Sequence, residues 1–134
     1  MEIKPTQPIV TDHPDGYRVE WPGYRKAFAL FSVQGTTVVV TDIFRDASQP
    51  KGSAGQMLAD AFRAKGITRP LRVRLANILS GQPTLTDLAA GAKPEDTLLG
   101  KVLTGVATAL GLRVASWNYG EERGKPFLEA YFGN

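Results

Sequence analysis

The chain of 134 residues has no cysteine and only one histidine, His13. Without cysteine it can form no disulfide, no thiolate nucleophile and no cysteine-based zinc site. The sequence also lacks the D-x-D and H-x-x-x-H spacings of common metal sites, so we expect no metal. A single histidine cannot supply the histidine acid/base pair of many nucleases, although lysine, glutamate and tyrosine can substitute. These absences leave an intracellular site of action open.

Long hydrophobic runs are missing as well. No apolar segment approaches the roughly 20 residues that cross a bilayer. The start, MEIKPTQPIVTDHPDG, is not a basic segment followed by an apolar one, and no small-residue cleavage site follows it. We therefore expect a soluble protein with no membrane partner, located in the cytoplasm.

Charge and length narrow the class of protein further. Sixteen lysines and arginines against thirteen acids give a formal charge of +3. This mild excess suits an anionic ligand but falls short of a nucleic-acid-binding stripe, so nucleic acid is possible but not favoured. With 43% hydrophobic residues the chain fits one core. Residues 1–16, proline-bearing and without hydrophobic period, are predicted to be an extended arm or linker, and residues 17–134 a single domain.

The hydrophobic pattern predicts an alternation of strands and helices. Strands are predicted over 17–21, 26–33 and 36–44, with turns at Pro22-Gly23 and Gln34-Gly35, which makes an antiparallel meander. A helix with Ser53 as N-cap ends at Gly66. Strand 71–78 should lie parallel to the third strand. A short helix over 84–90 precedes a largely buried helix that begins at Pro94 and ends at Gly111. Strands 112–119 and 126–132 flank a charged loop, GEERGK. The predicted fold class is α/β (α+β), a mixed sheet in the order β-β-β-α-β-α-β-β.

A glycine-containing loop, QPKGSAG at 49–55, joins the third strand to the first helix. Gln49, Gly52 and Ala54 fit the Q/R-x-x-G-x-G/A pattern, and the loop resembles the corresponding signature of the GNAT (N-acetyltransferase) superfamily. Residues 17–132 also follow that family's order of elements. Backbone N–H groups at such a helix start attract a phosphate group. An equal alternative is that the glycines of this loop serve only the geometry of the turn.

The resemblance implies an acyl-CoA-binding domain that moves an acetyl group from acetyl-CoA, as co-substrate, to an unidentified amine acceptor. Asp42, a carboxylate near the expected acyl group, is the candidate for general base, and Tyr119, on the strand after the last helix, is the candidate for the general acid that the family has on that helix. The structural alternatives are that Asp42 is an ordinary strand-end carboxylate paired with Arg45, and that Tyr119 is a core residue. Coenzyme A would contact the following residues: Ile43, Phe44, Gln49, Lys51, Gly52, Ser53, Ala54, Gly55 and Asn77.

Two departures from the family keep other functions open. The family usually has a strand and two helices before the meander, so the resemblance implies truncation at the amino-terminal side, and its frequent tyrosine in the last helix is missing. One alternative is the toxin domain of a secreted polymorphic effector, which would act on RNA or another target in a target-cell cytoplasm and be bound by an immunity protein. Another is a non-catalytic protein-binding module that pairs with a partner, or with a second copy, through an edge strand.

Overall fold

The computed structural model describes residues 8–44, 46, 53–76 and 81–133. In these residues a mixed sheet combines with helices, and the predicted α+β fold class is confirmed. The strands are β1 (Ile9–His13), β2 (Gly16–Trp21), β3 (Tyr24–Gln34), β4 (Thr37–Phe44), β5 (Arg72–Ala76), β6 (Arg113–Glu122) and β7 (Lys125–Gly133). The helices are α1 (Ala54–Ala64), α2 (Gly81–Ala89) and α3 (Leu98–Ala109), with a 3-10 turn at Pro94–Asp96.

The strands form one sheet in the order β1-β2-β3-β4-β5-β7-β6. All neighbours are antiparallel except β4 and β5, which are parallel as predicted. The parallel pair follows from the connection, because a strand that returns through a helix re-enters the sheet in its original direction.

The two faces of the sheet differ in chemistry. On the helix face, Val40, Leu75 and Ala130 are fully buried in one cluster with Phe62 of α1 and Leu103 of α3. The opposite face, which we call the open face, carries the alternate residues. Its members include Leu30, Val39, Arg72, Arg74, Phe127, Glu129 and Tyr131. Alternation of apolar and polar residues along each strand produces this separation.

Several boundaries differ from the sequence expectations. Ile9–His13, in the predicted arm, forms strand β1 and pairs with β2. The helix expected from Pro94 is divided, because Thr97 is extended and its hydroxyl accepts a hydrogen bond from Gly100 N (3.0 Å), which starts α3 separately. The charged loop is mostly strand, with a two-residue turn at Arg123 and Gly124. The last strand, β7, lies inside the sheet, and β1 and β6 form its edges.

Within the described residues no helix is long and apolar enough to cross a membrane. The same part of the chain contains no group of three or more histidine, aspartate or glutamate side chains that could hold a metal ion.

Candidate functional site

The parallel ladder of β4 and β5 ends near the carboxyl ends of both strands. They pair from Thr37 with Arg72 to Val40 with Leu75. At Thr41 the register of β3 and β4 shifts by one residue, after which β4 continues beside β3 and β5 beside β7. A bulge at this position bends the strand locally. We call the end of this ladder, at the carboxyl ends of two parallel strands, the crevice, because α/β proteins commonly bind ligands at such a place.

The amino end of α1 follows this crevice in the chain. The first hydrogen bond along the helix runs from Met57 N to Ser53 O (2.9 Å), so the amides of Ala54, Gly55 and Gln56 have no carbonyl to bind within the helix. Ser53 occupies the predicted N-cap position, but its hydroxyl makes no capping hydrogen bond and faces the sulfur of Met57 (4.0 Å). The first turn of α1 therefore offers backbone donors and the positive end of the helix dipole.

Gly55 has a packing role that the sequence did not reveal. A Cβ atom at Gly55 would lie 2.7 Å from Val102 O and 2.8 Å from the Cα of Gly105, both in α3. The glycine therefore lets α1 and α3 cross closely, and this contact accounts for it without a ligand. Its backbone N–H remains among the first-turn donors of α1.

Three of the predicted site residues lie on β4 beyond the bulge. Asp42 is half-buried opposite Leu30 on the open face. Ile43 packs toward the core on the helix face, opposite Ala29. Phe44 stacks on Phe28, with ring centroids 4.8 Å apart. All three follow the last pair of the β4–β5 ladder in the chain.

The structure does not bring Tyr119 together with Asp42. Tyr119 lies opposite Leu128 on β6, on the helix face, and is 47% exposed. Strands β5 and β7 lie between β4 and β6, which separates the two backbones by roughly 14 Å at the usual strand spacing. Because they also face opposite sides of the sheet, the two side chains cannot serve one reaction centre as base and acid in this arrangement.

Four of the predicted ligand residues, Gln49, Lys51, Gly52 and Asn77, lie outside the described residues.

Sequence reasoning missed a buried carboxylate on the open face. Glu129 is 1% exposed. Its oxygens accept a hydrogen bond from Asn118 Nδ2 at 2.9 Å, and they lie 3.5 Å from Arg74 Nη1 and 3.8 Å from Arg72 Nε. The alternation of Arg72 and Arg74 along β5 predicts a polar strand face, but nothing in the sequence identifies Glu129 as the residue opposite it.

Both arginines are held by further contacts. Arg72 donates to Thr37 Oγ1 (3.1 Å) and to the hydroxyl of Tyr131 (3.2 Å). The hydrogen bond with Tyr131 and the charge of Glu129 raise the pKa of Arg72 above its ordinary value. The guanidinium group of Arg74 lies 3.8 Å from the ring centroid of Phe127 and donates to Glu122 Oε2 at 2.7 Å. These contacts fix both cations on the open face.

The described residues form an α+β domain in which the parallel ladder of β4 and β5 ends at the carboxyl ends of both strands. No protein-family model and no curated protein matches the sequence. The chain is similar to a crystal structure of a Bacillus subtilis acetyltransferase in complex with CoA, with 14% identity and a TM-score of 0.40 over 86% of this chain and 74% of that one. A likeness this distant does not transfer an activity, so the function must be argued from the geometry of this chain.

Proposed function

We propose that this chain is an acyl-CoA-binding domain and that it transfers an acetyl group from acetyl-CoA to an amine. The end of the β4–β5 ladder at Val40 and Leu75 carries the proposal. Among the described residues of β5, none pairs with β4 beyond this point, and a chain of amide groups such as pantetheine can hydrogen-bond to the end of β4 as a strand would.

The donors at the start of α1 suit the diphosphate of coenzyme A. Amides of Ala54, Gly55 and Gln56 have no helical acceptor, and the helix dipole favours an anion there. The Gln49, Gly52 and Ala54 pattern precedes this turn in the sequence. In the sequence, residues 45–53 join the end of β4 to this helix start.

Acetyl-CoA supplies a thioester whose carbonyl carbon accepts the amine and whose sulfur leaves as the thiol. The chain's part is to bind the thioester along β4, to exclude water and to accept a proton from the amine. Asp42 is the candidate for this proton transfer, because it lies beyond the bulge at the crevice and on the open face. Solvent supplies the proton for the departing thiol, since Tyr119 lies on the other face of the sheet.

The test is the melting temperature of the chain with acetyl-CoA. A ligand at 100 times its Kd stabilises the folded state by about 2.7 kcal/mol, which raises the melting temperature of a domain this size by several degrees. Pantetheine, which lacks the diphosphate, should give a smaller shift at the same concentration. No shift with acetyl-CoA at millimolar concentration would refute the proposal.

The matched variants are Lys51→Glu, in the loop, and Lys101→Glu, exposed on α3. Both reverse one lysine charge, but only Lys51 belongs to the loop that directly precedes the start of α1 in the sequence. We expect Lys51→Glu to weaken acetyl-CoA binding at least about tenfold, the value of one charged hydrogen bond, and Lys101→Glu to leave it within about twofold. Equal effects of the two variants would place the diphosphate elsewhere.

A further inference from the structure

A cavity of about 340 Å³ lies on the open face, between β4, β5 and the turn of the β6–β7 hairpin. It reaches Ala76, the last residue of β5, immediately after the point where the β4–β5 ladder ends. Its volume is at the small end of the range for small-molecule sites. The cavity is therefore adjacent to the proposed acyl-CoA crevice and large enough for a small metabolite.

The lining of this cavity is cationic. Arg72, Arg74, Arg123 and Lys125 contribute four positive side chains. Two negative side chains offset part of this charge: Glu122 in the lining and Glu129 beneath it. Two positive charges remain in excess, and among the described residues neither Arg123 nor Lys125 has an ion-pair partner. This excess positive charge favours binding of an anion.

The two strand arginines are arranged as a fixed receptor. Arg74 is clamped by Glu129, Glu122 and the ring of Phe127, and Arg72 by Thr37 and Tyr131. Each guanidinium uses two of its N–H groups in hydrogen bonds to described residues and retains three. Because their positions are set before a ligand arrives, little side-chain entropy is lost on binding an oxyanion.

The hairpin turn adds a second observation. Arg123 has a φ of 55°, the only non-glycine residue with positive φ among the described residues. Asparagine or glycine suits this position of a tight hairpin turn much better than arginine. A strained residue that places a cation at a cavity indicates a functional constraint on that cation.

We propose that this cavity binds an oxyanion group, a carboxylate or a phosphate, of a small amine, and that this amine is the acyl acceptor. The second part rests on the proposed function, and the first does not. Arg72 and Arg74 bind the oxyanion, and Arg123 and Lys125 close over it from the hairpin. The amino group then extends past Ala76 toward the crevice.

The experiment is a titration of the full chain, labelled with nitrogen-15, without acetyl-CoA. The probes are β-alanine, O-phosphoethanolamine and ethanolamine, three aminoethyl compounds that carry a carboxylate, a phosphate and a neutral hydroxyl. We expect saturable shifts of the backbone amides of Val39, Arg74 and Phe127 with one or both oxyanions and none with ethanolamine. The tighter of the two identifies the oxyanion. Equal shifts with all three probes, or none with any, would overturn the proposal.

Arg74→Gln and Arg18→Gln are matched variants. Arg18 lies on the same face, pairs with Glu20 (3.1 Å) and lies over the ring of Phe28 (5.0 Å), but it does not line the cavity. We expect Arg74→Gln to weaken binding of the preferred probe at least about tenfold and Arg18→Gln to change it less than about twofold.

Arg74→Gln also removes a partner of a buried carboxylate and can unfold the chain. Arg123→Asn avoids this problem, because asparagine accepts the positive φ. It should keep or raise the melting temperature while weakening probe binding at least about threefold. Unchanged affinity in Arg123→Asn would overturn the assignment of the hairpin cation. If the probes bind but acetyl-CoA does not raise the melting temperature, the oxyanion site is supported and the acyltransferase proposal is refuted. If acetyl-CoA raises the melting temperature but no probe binds, only the oxyanion site is refuted.

Discussion

At the scale of single residues, Glu129 connects the stability of the sheet to the chemistry of its open face. A carboxylate that is 1% exposed has lost its hydration and depends on Arg72, Arg74 and Asn118 for compensation. Its arginine partners, Arg72 and Arg74, line the proposed oxyanion site. The same ion-pair network thus serves the fold and the proposed oxyanion site.

Glu129→Gln tests this network. The substitution keeps the shape of the side chain but removes its charge, so two arginines lose their buried counter-ion. We expect the free energy of unfolding to fall by about 2–4 kcal/mol, measured by urea denaturation. Glu20→Gln is the control, since Glu20 pairs with Arg18 at 3.1 Å but its side chain is 60% exposed. The control should cost less than about 1 kcal/mol. Equal losses would show that burial does not distinguish the two pairs.

At the scale of elements, the crossing of α1 and α3 depends on two glycines. A Cβ at Gly55 would meet α3 backbone at 2.7 Å, and a Cβ at Gly105 would lie 3.3 Å from the Cα of Gly55. Backbone cannot move aside as a side chain can, so a methyl group here must separate the helices. Because α1 also starts at the proposed diphosphate site, their separation would displace that site.

Gly55→Ala is therefore expected to lower the free energy of unfolding by about 1–3 kcal/mol, in spite of the higher helix propensity of alanine. Thermal or urea unfolding measures the loss. Gly133→Ala is the control, because a Cβ there would lie 3.7 Å from the Cβ of Ala115, an ordinary contact. A Gly55→Ala variant as stable as the parent would mean that the helices cross further apart than described.

The sequence predicted the elements in which buried residues recur at a regular spacing, and it missed those in which they do not. Strand β4 and helix α3 have regular apolar patterns, and both were located, as was the parallel pairing of β4 with β5. Strand β1 was missed because it lies at an edge and none of its residues is fully buried. The tight turn at Arg123 was missed because charged residues on the solvent-facing ends of β6 and β7 look like a loop.

The candidate site was predicted less completely, for a different reason. The loop pattern and its neighbours on β4 depend on local sequence and could be named in advance. The packing role of Gly55 and the burial of Glu129 depend on partners that are 50 and 57 residues away in the chain, Gly105 and Arg72. A single sequence carries no record of such distant contacts.

At the scale of the whole molecule, two halves of the chain meet in the middle of the sheet. The meander β1–β4 and the unit β5–β7 are joined by the short parallel pairing from Thr37 to Val40. The helices provide a second connection. Phe62 of α1 packs on Phe31 of the meander (5.2 Å between ring centroids), α3 packs on β6 and β7, and α1 packs on α3. The buried apolar side chains of the described residues form one cluster that both halves share.

This arrangement predicts that both halves unfold in one cooperative transition, and the two tryptophans can test it. Trp21 reports on β2 and Trp117 on β6, near opposite edges of the sheet. The Trp117→Phe variant leaves Trp21 as the fluorescent probe, and the Trp21→Phe variant leaves Trp117. In each variant the urea midpoint measured by fluorescence should equal the midpoint measured by far-ultraviolet circular dichroism. Comparing two probes within one variant removes the effect of the substitution on stability. A Trp21 midpoint below the dichroism midpoint would show that the meander unfolds first, and the crevice between β4 and β5 would then open before the rest of the sheet.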